Sequence, residues 1–107
     1  MPRTPKILLT DLAVQDLQEI KDYIARDSCS AARRVIREMK AAMHRLAEMP
    51  GTGHARSDLT DEDVLFWPIY SYLIVYRPET RPLEIVSVIS GHRDAEVLLE
   101  RRLPPTD

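Results

Sequence analysis

The side chains best suited to chemistry gather late in the chain. The apolar run Ile85-Val86-Ser87-Val88-Ile89-Ser90 leads directly into Gly91-His92-Arg93-Asp94, so an acid–base group and two charges fall where a strand must end. His92, with an unperturbed pKa near ~6.5, is suited to moving a proton at neutral pH. Arg56, Arg77 and Arg93 are permanent cations of the kind that stabilise charge developing on an oxyanion. His54 lies in the helix-stopping stretch Met49-Pro50-Gly51-Thr52-Gly53-His54, and Tyr70, Tyr72 and Tyr76 recur at even spacing. The late cluster also fits a plain structural role. Gly91 permits a tight turn, Asp94 caps a following helix, and Asp94 pairs with Arg93 or Arg56. An exposed pair of that kind adds only ~0–1 kcal/mol. No spaced His/Cys set offers the three or four ligands that a metal site needs. Cys29 is the sole cysteine, which excludes an intrachain disulfide. Neither a metal nor a cofactor is expected.

Composition narrows the class. A chain of 107 residues is expected to form one domain, spanning 1–107. At that size it buries roughly 65% of its unfolded surface, enough for a core without staples. Its apolar runs fall far short of the ~20 residues that cross a bilayer, and the N-terminus lacks the apolar stretch of a signal peptide. A cytoplasmic protein with no membrane contact is the expectation. The net charge of -2 is unevenly spread. Residues 1–50 hold nine Lys/Arg against seven Asp/Glu, whereas residues 51–107 hold six against ten. The second half, at -4, is poorly suited to gripping phosphates unaided, so stable binding of nucleic acid by this chain alone is not expected.

The elements that position these residues follow from periodicity. Lys6-Ile7-Leu8-Leu9-Thr10 is a short strand candidate, with Thr10 or Asp11 capping the helix that follows. In that helix Ala13, Leu17, Ile20 and Ile24 share a face, with Asp16, Glu19 and Asp22 off it. Asp27-Ser28-Cys29-Ser30 forms a turn into a second helix. There Ala32, Val35, Ile36, Met39, Met43, Leu46 and Ala47 make a nearly complete apolar stripe, ended by Pro50 and Gly51. The short link makes the pair an antiparallel hairpin. Arg33, Arg37, Lys40 and His44 form a basic stripe on the second helix, either a solvated face or a docking strip. After a polar loop, Val64–Trp67, Tyr70–Arg77 and Leu83–Ser90 read as three strands. Pro68 limits the pairing of the first, and the apolar third reads as a central strand. Phe66-Trp67-Pro68 marks a partly open sheet edge, with Trp67 and Tyr70 as candidate partner anchors. A short helix is expected over 95–103. The fold class is α+β: a two-layer βααβββ arrangement with the helical hairpin on a small, mainly antiparallel sheet.

In this order and spacing the chain resembles the RelE/ParE superfamily of toxins from type II toxin–antitoxin modules, and within it the ParE branch. The residues that carry the resemblance are Ala13, Asp16, Leu17, Ile20, Tyr23 and Ile24, then Ala32, Leu46 and Ala47. They continue through Pro50, Gly53, Arg56 and Asp58, the run Tyr72-Leu73-Ile74-Val75-Tyr76-Arg77, and Ile85 to Asp94. The resemblance implies a cognate ParD-like antitoxin, a hetero-oligomer with it, and a cellular target that is either DNA gyrase or ribosome-bound mRNA. It further implies an antitoxin arm that combines a helix with strand addition.

The two targets call for different residues. A RelE-like mRNA endonuclease uses Lys, Arg, Tyr or His side chains to move protons and stabilise a phosphorane. Here that set would be His92, Arg93, Arg56 and Tyr72. No lysine follows Lys40, however, and the surrounding charge is negative. The residues therefore suit a ParE-like gyrase inhibitor, with no catalytic group, better than a ribosome-dependent nuclease. An inactive homologue that only binds antitoxin is the third reading. The partner surface is expected at Arg33, Arg37, Lys40, Trp67, Tyr70 and Arg93.

Overall fold

The structure, a computed structural model, describes residues 6–90. Strand β1 is Ile7–Leu9, and it passes through Thr10 directly into helix α1, Asp11–Ala25. Thr10 is extended, and its Oγ1 accepts the Ala13 N–H at 3.0 Å, which satisfies one donor of the first helical turn. Helix α2, Cys29–Glu48, begins after three residues, with Ser28 Oγ accepting the Ala31 N–H at 3.1 Å. Met49 and Pro50 end it in a 3-10 turn at Pro50–Thr52. Strands β2 (Leu65–Ile69), β3 (Tyr72–Arg77) and β4 (Leu83–Ser90) follow. They form one sheet with β1 in the order β1-β4-β3-β2, parallel between β1 and β4 and antiparallel elsewhere. This is the expected βααβββ arrangement. The expected helix over 95–103 lies outside the described residues.

The apolar stripes meet on one side of the sheet. Leu17 and Ile20 of α1 and Val35, Met39, Met43 and Leu46 of α2 are buried against Ile74, Tyr76, Leu83, Ile85 and Val88, and half-buried Ile24 joins them. Fully burying a side chain such as Met39 is worth roughly 1.5–3 kcal/mol. The opposite face has its own smaller core. Phe66, Val75, Val86 and Ile89 pack there with Val64, and half-buried Leu59 and Leu73 lie against them. The polar loop before β2 therefore folds back over the sheet through Leu59 and Val64, so both faces of the strands are apolar.

Three local expectations are corrected. Asp16 does not lie off the packed face. It is 3% exposed, and its Oδ2 accepts the Ser87 hydroxyl at 2.6 Å and the Val88 N–H at 3.0 Å. The cause is the mismatch between strands: β1 stops at Leu9, so β4 beyond Ile85 has no strand on that side. Thr10 and Asp16 take over. The Thr10 N–H donates to Ile85 C=O at 3.1 Å, and its Oγ1 donates to Val86 C=O at 2.7 Å. The register shift between Val75 and Tyr76 re-aims this part of β4. Second, Tyr70 is not in a strand. With Ser71 it forms the turn between β2 and β3, and its φ of 55° lies in the left-handed region that a tyrosine occupies at a cost of about 1–2 kcal/mol. Third, β2 does not end at Trp67 but runs through Pro68 to Ile69; Pro68 is tolerated there because β2 is an edge strand and the proline's missing N–H faces outward, where it limits further pairing.

Replacing Asp16 by Ala removes the carboxylate acceptor of the buried Val88 N–H and of the Ser87 hydroxyl. Chemical denaturation should show a loss of about 2–4 kcal/mol, with Asp16→Asn, which keeps one acceptor oxygen, losing clearly less. Equal losses for the two variants would show that Asp16 contributes only by filling space.

Candidate functional site

The loop that follows α2 is fixed by a single buried phenol. Tyr76 is fully buried on β3, and its hydroxyl donates to Pro50 C=O at 2.6 Å and accepts the Gly53 N–H at 2.9 Å. Gly53 must be glycine here. A Cβ would collide with the Tyr76 Oη and come within 2.9 Å of its Cε1 and 3.0 Å of Phe66 O. One residue on, His54 pairs with Phe66 of β2 through two 2.8 Å backbone hydrogen bonds. Its ring stacks over half-buried Trp67, with centroids 6.4 Å apart and planes 12° from parallel. The packing of Tyr76 thus sets where His54, Arg56 and the rest of the loop lie. Burial pushes the Tyr76 hydroxyl above the ordinary phenol value, and the Gly53 N–H offsets this only in part.

Arg56 and Tyr72, the described members of the possible nuclease set, are not brought together. Arg56 is exposed and forms a two-pronged pair with Asp58, Nε to Oδ1 at 2.9 Å and Nη2 to Oδ2 at 2.8 Å. The hydrogen bond with Asp58 raises the arginine, and the same bond holds the Asp58 carboxyl below its ordinary value. Both groups are solvated, so this pair orders the loop more than it stabilises the fold. Tyr72 lies on the helix side of the sheet, whereas the loop bearing Arg56 covers the other side through Leu59. Tyr72 lines a cavity of about 190 Å³ with Asp16, Glu19, Ile20, Tyr23 and the end of β4. No arginine, lysine or histidine is among those lining residues. Burial, with a smaller contribution from nearby Tyr23, pushes the Tyr72 hydroxyl above its ordinary value, so it stays protonated at neutral pH. His92 and Arg93 lie outside the described residues. Among the described residues no group of three His, Cys, Asp or Glu is placed to hold a metal ion.

The basic stripe is placed differently. Arg33, Arg34, Arg37, Lys40, His44 and Arg45 are all exposed on α2. The ion pairs among the described residues are Lys6–Glu48, Arg56–Asp58 and Arg77–Glu84, and none uses these cations. Beside the stripe, Glu38, Ala41 and Arg45 face Ile69 and Tyr70 across an open cavity of about 310 Å³. Tyr70 is 57% exposed, which makes it an accessible large aromatic, whereas Trp67 is half-buried under His54. Of the expected partner residues, Arg33, Arg37 and Lys40 therefore share one helix, Tyr70 of the β2–β3 turn lies near Glu38, Ala41 and Arg45 of that helix, and Arg93 lies outside the described residues. The expected open edge at Phe66-Trp67-Pro68 is closed, since His54 occupies Phe66 and Pro68 has no N–H to offer. Sequence reading missed that closure and the link between Tyr76 and Gly53. The only available signal was the pair of glycines ahead of His54.

A helical hairpin on a four-stranded sheet of this kind recurs in a solved structure. A chain from a solved structure of the chromosomal ParDE TA system from P. aeruginosa superposes with a TM-score of 0.65 at 16% identity, covering 81% of this chain and 96% of that one. Residues 7–95 match the family model described as ParE toxin of type II toxin-antitoxin system, parDE. The chain therefore belongs to the ParE toxin family. It is also 33% identical over 88 residues to Y4kP of Sinorhizobium fredii, whose name marks it as a candidate toxin, covering 82% of this chain and 90% of that protein.

Tyr76→Phe should lower stability by about 1–3 kcal/mol by removing the partner of Gly53 N–H and Pro50 C=O. A tyrosine whose pKa is raised in the folded state stabilises the fold below the unfolded value near ~10 and ceases to do so as pH climbs through the folded value. Urea unfolding from pH ~8 to ~10.5 should therefore show wild type losing stability faster than Tyr76→Phe. Parallel pH profiles would remove the phenol from this role. Gly53→Ala, which meets the same ring, should cost about 1–3 kcal/mol with no change in the profile's shape.

Proposed function

We propose that this toxin is a DNA gyrase inhibitor without hydrolytic activity, held inactive in the cytoplasm by a ParD-like antitoxin that docks on α2 and Tyr70. The observation that carries the antitoxin surface is the coincidence of a cationic helix face, free of ion pairs among the described residues, with an exposed aromatic beside it. An acidic amphipathic segment laid along α2 would neutralise Arg33, Arg37 and Lys40 and place an apolar side chain against Tyr70 and Ala41. The backbone cost at Tyr70 supports a binding role, because glycine would make this turn without strain.

Support for gyrase over mRNA comes from how the described residues of the candidate nuclease set are placed. Phosphoryl cleavage needs cations and an acid–base group gathered round one oxygen. Among the described residues, Arg56 is turned to Asp58, Tyr72 is on the other side of the sheet, and the Tyr72 cavity is lined by carboxyl, hydroxyl and apolar groups. Inhibition by binding needs no such convergence.

Charge reversal at Arg33, Arg37 and Lys40 should slow antitoxin association by roughly tenfold or more and flatten its salt dependence. Unchanged stopped-flow kinetics would move the antitoxin off α2. Tyr70→Gly should leave the melting temperature unchanged or higher while raising the antitoxin Kd by at least about tenfold, as for loss of an aromatic anchor. For the target, purified toxin is incubated with gyrase and supercoiled plasmid, and separately with translating ribosomes. Loss of supercoiling activity with intact mRNA is expected, and His92→Ala should remain toxic. Codon-phased mRNA cuts that vanish in His92→Ala, with gyrase unaffected, would establish the nuclease instead. Antitoxin binding with neither effect would establish an inactive homologue.

A further inference from the structure

The two edges of the sheet differ in what they offer a fifth strand. On β2 the outward residues are Val64, Phe66 and Pro68, because Leu65, Trp67 and Ile69 face β3 on either side of the two-residue turn. Val64 N–H donates to Glu62 C=O at 2.9 Å, both backbone groups of Phe66 are taken by His54, and Pro68 has no N–H. That edge has no donor left for an incoming strand. On β1 the parity is fixed by Leu83 N–H donating to Lys6 C=O at 2.9 Å and Thr10 N–H donating to Ile85 C=O at 3.1 Å. Even-numbered residues face β4, so the N–H and C=O of both Ile7 and Leu9 point away from the sheet. Among the described residues no strand lies beyond β1. Leu8 lies on the face opposite Ile7 and Leu9 and is 52% exposed, although those two neighbours pack against the core.

We propose that β1 pairs antiparallel with β1 of a second copy of this chain, across a two-fold axis that passes through Leu8. The edge is self-complementary in that register. Ile7 falls opposite Leu9 of the second copy and Leu9 opposite its Ile7, so all four outward groups on each copy are paired. The two Leu8 residues then form the closer, non-hydrogen-bonded pair, with Cα atoms about 4.5 Å apart, and each covers the other's exposed side chain. Charge does not oppose the contact: Lys6, whose Nζ pairs with Glu48 of its own chain at 3.2 Å, comes opposite the uncharged Thr10 of the second copy. A two-fold contact requires one patch to match itself, and this three-residue strand does so in hydrogen bonding and in apolar contact. The result is one continuous eight-stranded sheet with a helical hairpin on each half.

The test uses the full-length chain. Sedimentation across a wide concentration range should show a monomer–dimer equilibrium. Leu8→Lys places like charges directly opposite each other and should raise the dimer dissociation constant at least about tenfold while leaving the melting curve intact, since Leu8 is half-exposed. In a Cys29→Ser background, Leu8→Cys should give a disulfide-linked dimer under mild oxidation, because that spacing falls within the range a disulfide bridges. Val14→Cys, equally exposed on α1, should not. A chain that stays monomeric, with Leu8→Cys no faster to cross-link than Val14→Cys, overturns the proposal. So does a dimer that survives Leu8→Lys. If Leu8→Lys weakens antitoxin binding and leaves the mass of the isolated chain unchanged, the edge serves an arm of the antitoxin and the second-copy pairing is wrong.

Discussion

The side-chain attachment of α1 to the edge of β4 is the contact on which the rest of the structure depends. A three-residue strand cannot satisfy an eight-residue neighbour, and the shortfall falls in the interior, where unpaired backbone groups are costly. Thr10 and Asp16 meet it with hydrogen bonds to Ile85, Val86, Ser87 and Val88. This fixes α1 over β4, and the helical hairpin then places Met39, Met43 and Leu46 of α2 over the sheet. A buried acidic side chain is expensive to hold, and it is tolerated here because its acceptor capacity matches the donors that the short strand leaves over.

A comparable economy governs the other side of the sheet. Tyr76 belongs to the helix-side core, yet its hydroxyl reaches the start of the loop that covers the opposite face. Through Gly53 and His54 that loop blocks the edge of β2, and through Leu59 and Val64 it buries Phe66 and Val75. Asp58, Asp61 and Asp63 of that loop are exposed, whereas the exposed side of α2 carries Arg33, Arg34, Arg37, Lys40 and Arg45 against Glu38 and Glu48. That excess of cations gives α2 a distinct electrostatic character.

Much of this was legible in the sequence because it rests on periodicity. The stripe from Ala32 to Ala47, the caps at Thr10 and Ser28, and the apolar run from Leu83 to Ser90 each state their own geometry. What was hidden depends on contacts between residues far apart in the chain. Asp16 lies at the margin of the α1 apolar face, and a helical pattern assigns a carboxyl there to solvent. Only the length mismatch of β1 and β4, a tertiary property, reverses that. Tyr70 continues an alternating strand pattern and becomes a turn because Pro68 and the pairing of Ile69 with Tyr72 end β2 there. The edge at Phe66 looked open because its partner, His54, is twelve residues earlier. Of the candidate site, the basic stripe was visible as spacing, whereas its proximity to Tyr70 and the separation of Arg56 from Tyr72 were not.

The absence of any loop between β1 and α1 has a mechanical consequence. Thr10 ends the strand, caps the helix and bonds to β4, so the hairpin leaves the sheet from a clamped root. From there α1 extends about 22 Å to the three-residue bend before α2. Among the described residues, hydrogen bonds tie α1 to the sheet at Thr10 and again at Asp16, whereas toward Tyr23 and Arg26 it is held by side-chain packing, so opening of the hairpin is easiest at that far end.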